Sequence, residues 1–129
     1  MLSKNRLYRL GDLQLRIMKV LWARQEAAVA EVHDDLAGER RLAYTTVATM
    51  LRKMEERGLV KHRVEGRSFL YRAALGEAAV SQGMAGHLLE RLFEGSLADM
   101  VRHLLSTREV SREELSQLEQ LIAERKKAR

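Results

Sequence analysis

Residues 43–58 have the sequence AYTTVATMLRKMEERG, in which apolar residues recur every three or four positions. This spacing predicts an α-helix. The predicted buried stripe consists of Ala43, Val47, Met50, Leu51 and Met54. The other face carries Thr45, Thr46 and Thr49, although β-branched residues are less favourable in a helix interior than Glu, Lys or Gln. These short hydroxyl side chains, followed by Arg52 and Lys53, indicate a surface that contacts another molecule.

The flanking segments supply the rest of a small domain. Apolar spacing predicts one helix over residues 10–23, a short connection at 26–28 and a second helix over residues 29–36. Gly58 is a predicted C-terminal cap. After it, LVKHRV and SFLYRA alternate with a period of two and predict a hairpin with its turn at Glu65-Gly66. Three helices and a hairpin form a winged helix-turn-helix, whose third helix enters the major groove of DNA.

The remainder of the chain predicts three further helices with strong apolar stripes. The fold class is therefore mainly α with a small β-hairpin: a winged-helix DNA-binding domain at residues 1–74 and a three-helix dimerisation region at residues 75–129. Such a short segment cannot bury all its apolar stripes by itself. We expect a twofold dimer, with folding back on the first domain as the alternative. The predicted interface residues are Leu88, Leu92, Leu97, Met100, Val101, Leu104, Leu105, Leu115, Leu118 and Ile122.

Charge and composition indicate which classes of protein this chain can belong to. The net charge is +5, and the surplus of basic residues lies in the first part of the chain, which favours a polyanionic partner. The absence of cysteine excludes disulfides and thiolate metal sites. Without a signal-peptide pattern or a long apolar run, we expect a cytoplasmic protein with no membrane insertion. The histidines are scattered and no catalytic motif accompanies them, so we expect neither an enzyme nor a cofactor or metal.

The third helix and the hairpin carry the side chains that suit DNA. A threonine hydroxyl can bond a base edge while its methyl group contacts thymine, and helix N-termini favour phosphate. Basic residues on the hairpin would contact the DNA backbone. The predicted DNA-binding residues are Tyr44, Thr45, Thr46, Thr49, Arg52, Lys53, Lys61, Arg63 and Arg67. The alternative is a winged helix that binds another protein and not a specific DNA sequence.

Four segments also carry a resemblance to a known family. They are LGDLQLRIMKVLW, LAYTTVATMLRKMEERGLV, GRSFLYRA and LFEGSLADMVRHLLSTREVSREELSQLEQLI, which together run from Leu10 towards the C-terminus. The sequence resembles the BlaI/MecI/CopY-type penicillinase repressor family. The resemblance implies a homodimer of winged helices that represses transcription at operators with dyad symmetry. Thr46 and Thr49 match the base-proximal threonines of that family.

The resemblance also bears on regulation. In the antibiotic-responsive members, a membrane sensor triggers proteolysis at an Asn-Phe bond, and the matching pair here is His103-Leu104. A membrane sensor or a protease acting upstream is therefore an implied partner. The copper-responsive members use a C-terminal cysteine cluster. Since this chain has no cysteine, thiolate copper sensing is excluded.

Overall fold

The computed structural model describes residues 10–36 and 41–128 of the chain. The elements in these ranges are α1 (Asp12–Arg24), β1 (Ala27–Ala28), α2 (Val29–Leu36), α3 (Tyr44–Glu56), β2 (Val60–Glu65), β3 (Ser68–Ala73), α4 (Glu77–Phe93), α5 (Leu97–Thr107) and α6 (Arg112–Lys127). The predicted class, mainly α with a small hairpin, is confirmed. Residues 1–9 and 37–40 of the predicted DNA-binding domain and Arg129 of the predicted dimerisation region lie outside the described ranges. Within those ranges, no helix combines the length and apolarity that a membrane crossing requires.

The wing is a three-stranded antiparallel sheet rather than a hairpin alone, with strand order β1-β3-β2. Ala28 of β1 and Arg63 of β2 both pair with Leu70 of β3, one on either side. The sequence predicts a short connection at 26–28 where the structure has β1, because two alanines carry no strand signal. This short strand attaches the β2–β3 hairpin to the segment between α1 and α2.

The core lies where α1, α2 and α3 meet the sheet. Its fully buried side chains come from α1 (Ile17, Met18 and Leu21), α2 (Val32), α3 (Val47, Leu51 and Met54) and the start of the wing (Leu59 and Val60). The predicted stripe of α3 is confirmed at Val47, Leu51 and Met54, and Met50 is half-buried. Ala43 was predicted to be buried but is exposed, because it is the extended N-cap residue and precedes the helix proper.

Glycines with positive φ shape both ends of the hairpin. Gly58 has φ +81°, and the Leu59 amide donates to the Met54 carbonyl at 2.9 Å, so the predicted cap of α3 is confirmed. Gly66 has φ +62°. Glu65 still pairs with Ser68, so the turn consists of Gly66 and Arg67 and begins one residue later than predicted. Arg67 therefore stands at the tip of the wing.

The chain divides into two compact units, residues 1–87 and 88–129. The division falls after the predicted boundary at 74, because Val80 is buried in the core of the first unit and Met84 packs against that core. In the second unit, Ser96 and Ser111 cap α5 and α6 by accepting hydrogen bonds from Asp99 and Glu114 amides, each at 3.1 Å.

The second unit leaves its apolar stripes open in a single chain. No described side chain from Leu88 onward is buried, and Leu97 is 64% exposed. Leu121 and Ile122 on α6 are also exposed. Of these, Leu121 was not among the predicted interface residues. Exposed leucines in such numbers on three helices favour a partner surface.

Replacement of Leu51 by alanine tests the anchoring of α3. The side chain is fully buried, so we expect the free energy of unfolding to fall by about 2–5 kcal/mol. The matched control Leu51→Met keeps the volume and should lose less than about 1.5 kcal/mol. Urea unfolding at one fixed protein concentration, followed by circular dichroism, measures both. Equal losses in the two variants would contradict tight packing at this position.

Candidate nucleic-acid interface

The outer face of α3 presents hydroxyl groups and cations to solvent. Thr45, Thr46, Arg52 and Lys53 are exposed, and Thr49 is half-buried. The three threonines line a shallow depression of about 300 Å³, whose other walls are Met50 and Lys53. None of the three hydroxyls is hydrogen-bonded to another residue in the described ranges. This face can therefore donate and accept hydrogen bonds to an external molecule.

The first turn of α3 is open to an anion. The N-cap residue Ala43 has no side-chain acceptor, and the first turn contains no acidic residue. The amides at the start of a helix lack intrahelical partners and lie at the positive end of the helix dipole. Tyr44 is exposed beside them. A phosphate oxygen can therefore accept hydrogen bonds from this end of the helix.

An open cleft of about 460 Å³ separates α3 from the wing. Arg52 lies on the α3 side, and Arg67 and Phe69 lie on the wing side. Neither arginine forms an ion pair with any residue that the structure describes. Phe69 is 48% exposed although it is aromatic. The alternation of SFLYRA predicts Phe69 only as a strand residue, and its place three residues after the predicted turn is the one sequence signal of its position by the cleft.

One face of the wing is joined to α3 through a histidine. Nδ1 of His62 lies 2.7 Å from each carboxylate oxygen of Glu55, which belongs to α3. The His62 ring stacks on Phe69 with centroids 4.2 Å apart. Burial raises the pKa of the neighbouring Tyr71 phenol, and the Glu55 carboxylate adds to the rise. The wall of the cleft is thus joined to α3 by direct side-chain contacts.

The opposite face of the wing carries a different ion pair. Nε and Nη2 of Arg63 donate to the two carboxylate oxygens of Glu26 at 2.8 and 2.7 Å. Nη2 also donates to Glu65 at 3.1 Å. The hydrogen bond from Arg63 lowers the pKa of the Glu26 carboxyl below its usual value. Lys61 lies on this same face, two residues before Arg63, so Arg67 is the one predicted wing residue that lines the cleft.

Six of the ten predicted dimerisation residues line two depressions between α5 and α6. Leu97, Val101, Leu105 and Ile122 line one of about 730 Å³. Leu104 and Leu118, again with Val101 and Leu105, line a second of about 220 Å³. Of the remaining predicted residues, Leu88, Leu92 and Leu115 are exposed and Met100 is half-buried.

The His103-Leu104 bond lies inside α5. The carbonyl of His103 accepts hydrogen bonds from Ser106 Oγ at 3.0 Å and Thr107 Oγ1 at 2.8 Å. The helix must open locally before this bond can adopt an extended conformation. No cluster of His, Cys, Asp or Glu in residues 10–36 and 41–128 has the arrangement of a metal site.

Comparison with known proteins gives concordant matches. The family model described as penicillinase repressor matches residues 10–124. The penicillinase repressor of Bacillus licheniformis is 30% identical over 117 residues, which are 91% of each chain. The transcriptional regulator BlaI of Mycobacterium tuberculosis is 38% identical over 80 residues, 61% of this chain and 58% of that protein. A solved structure, the DNA binding domain of the repressor BlaI, is 29% identical with a TM-score of 0.51, covering 57% of this chain and 89% of that one.

Proposed function

The chain belongs to the penicillinase repressor family of winged-helix transcriptional repressors, and from this premise we propose that it represses transcription as a homodimer on a dyad-symmetric operator. The observation that carries the proposal is the pair of opposed faces on α3. Val47, Leu51 and Met54 are fully buried, while Thr45 and Thr46 are exposed. A helix so anchored presents a narrow hydroxyl surface of the kind that enters a major groove.

The contacts divide between the helix and the wing. Thr45, Thr46 and Thr49 bond to base edges, because short side chains allow the helix to approach the floor of the groove. Arg52 and Lys53 reach phosphates or guanine edges farther along α3. Tyr44 and the first amides of α3 bind one phosphate.

The cleft between α3 and the wing accommodates the DNA backbone that separates the two grooves. Arg67 binds this backbone from the wing, opposite Arg52 on the helix. Lys61, on the outer face of the wing, adds to the positive potential that attracts DNA.

Homodimer formation gives the open stripes of the second unit a partner. The occupant of the depressions between α5 and α6 is the same segment of a second copy. A twofold axis through that interface would present two α3 helices to the two half-sites of a palindromic operator. Such pairing combines two weak half-site contacts into one specific complex.

Relief of repression acts on the dimerisation region. Cleavage at His103-Leu104 by a membrane sensor or a protease acting upstream would divide α5 and separate Met100 and Val101 from Leu105. Because this bond lies inside α5, the helix must open locally before cleavage, and opening also breaks the Ser106 and Thr107 hydroxyl contacts to the His103 carbonyl. Loss of dimer affinity then releases the operator, because each half-site alone binds weakly.

Direct binding measurements test the proposed function. Genomic DNA recovered with the protein identifies the operator, and fluorescence anisotropy then compares operator and scrambled duplexes. If the dimer contacts about 6–10 phosphates, affinity should fall by about 10³–10⁵ between 50 and 200 mM salt. A protein-interaction module would show no preference for any recovered duplex and a flat salt dependence, and that result would overturn the proposal.

Substitution of Thr46 or Thr49 by valine separates base recognition from backbone attraction. Valine keeps the branched shape and removes the hydroxyl, so we expect operator affinity to fall about fivefold per lost hydrogen bond while random-duplex affinity stays unchanged. The control Thr107→Val changes a hydroxyl that bonds within α5 and should leave both affinities unchanged. Equal losses on operator and random duplexes would argue against base contacts.

Arg67→Ala, unlike the threonine variants, should weaken binding to operator and random duplexes alike. Loss of a phosphate contact weakens binding to all duplexes by similar factors and reduces the slope of log affinity against log salt by about 1. Anisotropy titrations at four or more salt concentrations measure the slope. An effect confined to the operator would assign Arg67 to base recognition instead.

Introduction of charge into the α5–α6 surface tests the dimer. Leu105→Glu and Ile122→Glu place a carboxylate in the depression of about 730 Å³, and burial of an unpaired charge is costly. We expect either variant to sediment as a monomer at concentrations where the parent is a dimer. The control Gln120→Glu adds the same charge on an exposed position of α6 and should remain dimeric. A dimer in all three variants would place the interface elsewhere.

A further inference from the structure

We propose that Arg63 is a positioning residue and does not itself contact DNA. Its ion pair with Glu26 holds the wing at the distance from α3 that places Arg67 opposite Arg52. The inference rests on the proposed DNA-binding function and assigns a role within it. It replaces the expectation from sequence that Arg63 binds phosphate.

The contacts of Arg63 leave it poorly suited to an anion. Glu26 accepts two of its hydrogen bonds and Glu65 a third, at distances from 2.7 to 3.1 Å. The two carboxylates compensate the charge of Arg63, and although Arg72 is also close enough to lower the pKa of Glu26, the Arg63 guanidinium has little uncompensated charge left to attract phosphate. The bidentate geometry also fixes the plane of the guanidinium. Arg67, by contrast, has no carboxylate partner among the described side chains.

The sheet register shows what the ion pair connects. Arg63 on β2 lies in one row with Leu70 on β3 and Ala28 on β1. Glu26 directly precedes β1, so the Arg63 side chain crosses β3 to reach it. Because β1 consists of two residues, few backbone hydrogen bonds secure the wing at this edge. The ion pair adds a link between the farthest strand of the wing and the body of the domain.

The Arg63 side chain lies on the face of the sheet that is turned away from the cleft, which also argues against a DNA contact. Residues paired across antiparallel strands share a face, and neighbouring residues in a strand alternate between faces. Arg63 therefore shares a face with Leu70, whereas Phe69 and Tyr71 belong to the other face and line the cleft. The Glu55–His62 contact holds that inner face and the Arg63–Glu26 contact holds the outer one.

The ion pair is accessible enough for substitution without loss of the fold. The side chains of Arg63 and Glu26 are 54% and 32% exposed, and solvent-exposed pairs stabilise a fold only slightly. Because Arg63 lowers the pKa of Glu26, the carboxylate stays ionised at the neutral pH of a binding assay. A change in DNA affinity on breaking the pair would then report wing position rather than unfolding.

The variants Glu26→Gln, Arg63→Gln and the double variant test the inference in the full-length protein on operator duplex. Glu26→Gln gives effects of opposite sign under the two hypotheses. If Arg63 positions the wing, the variant should bind about two- to fivefold more weakly, the usual effect of one exposed pair. If Arg63 binds phosphate, removal of the competing carboxylate should tighten binding. Asp34→Asn, which removes an exposed carboxylate elsewhere in the same unit, measures the general effect of one fewer negative charge.

Two further readouts separate positioning from contact. Arg63→Gln should match Glu26→Gln in affinity, and the double variant should be no weaker than either, since all three break one link. The salt slope should stay at the parental value in all three, whereas Arg67→Ala lowers it by about 1. Unchanged thermal unfolding verifies that the fold is retained.

Each outcome decides one of the two claims. Tighter binding or no change by Glu26→Gln relative to Asp34→Asn, or a reduced salt slope for Arg63→Gln, would overturn the positioning role and leave the proposed function intact. A parental protein that binds no duplex in a salt-dependent way would overturn the proposed function, and this inference with it.

Discussion

The burial of one stripe of α3 is the constraint on which the interface depends. Val47, Leu51 and Met54 are fully excluded from solvent, so the helix cannot rotate about its axis without exposing them. Each such side chain contributes about 1.5–3 kcal/mol by burial. Because side chains on a helix are separated by fixed angles, this stripe determines that Thr45, Thr46 and Lys53 point outward. The chemistry of the outer face is thus positioned by the apolar contacts behind it.

The wing is held against the rest of the domain by side-chain contacts on both of its faces. The inner face meets α3 through His62 and Glu55, and the outer face meets the start of β1 through Arg63 and Glu26. A hairpin held at one point can pivot about that point, whereas contacts on two faces restrict its motion. Restricting the wing before DNA arrives lowers the conformational entropy lost on binding. The cleft between Arg52 and Arg67 is accordingly formed in the free protein.

Local patterns predicted the helices, the wing strands and the outer face of α3, because helical and strand periods are properties of neighbouring residues. Features that depend on distant residues were missed. Two alanines became β1 only because β3 lies beside them. The pairing of Arg63 with Glu26 joins positions far apart in the chain, so basic character alone suggested a phosphate contact. Ala43 fits the apolar spacing of α3 and yet lies outside the helix.

The ion pairs show which basic residues have uncompensated charge, which the net charge of +5 does not. Arg24 and Arg63 each lie against carboxylates, and their charges are locally compensated. Arg52, Lys53 and Arg67 have no such partners within residues 10–36 and 41–128, and all three lie on the helix face or the cleft. Compensated cations stabilise geometry, whereas uncompensated ones supply the potential that attracts a polyanion. The position of nearby carboxylates thus divides the arginines of one small domain into those that are paired and those that are open to an external anion.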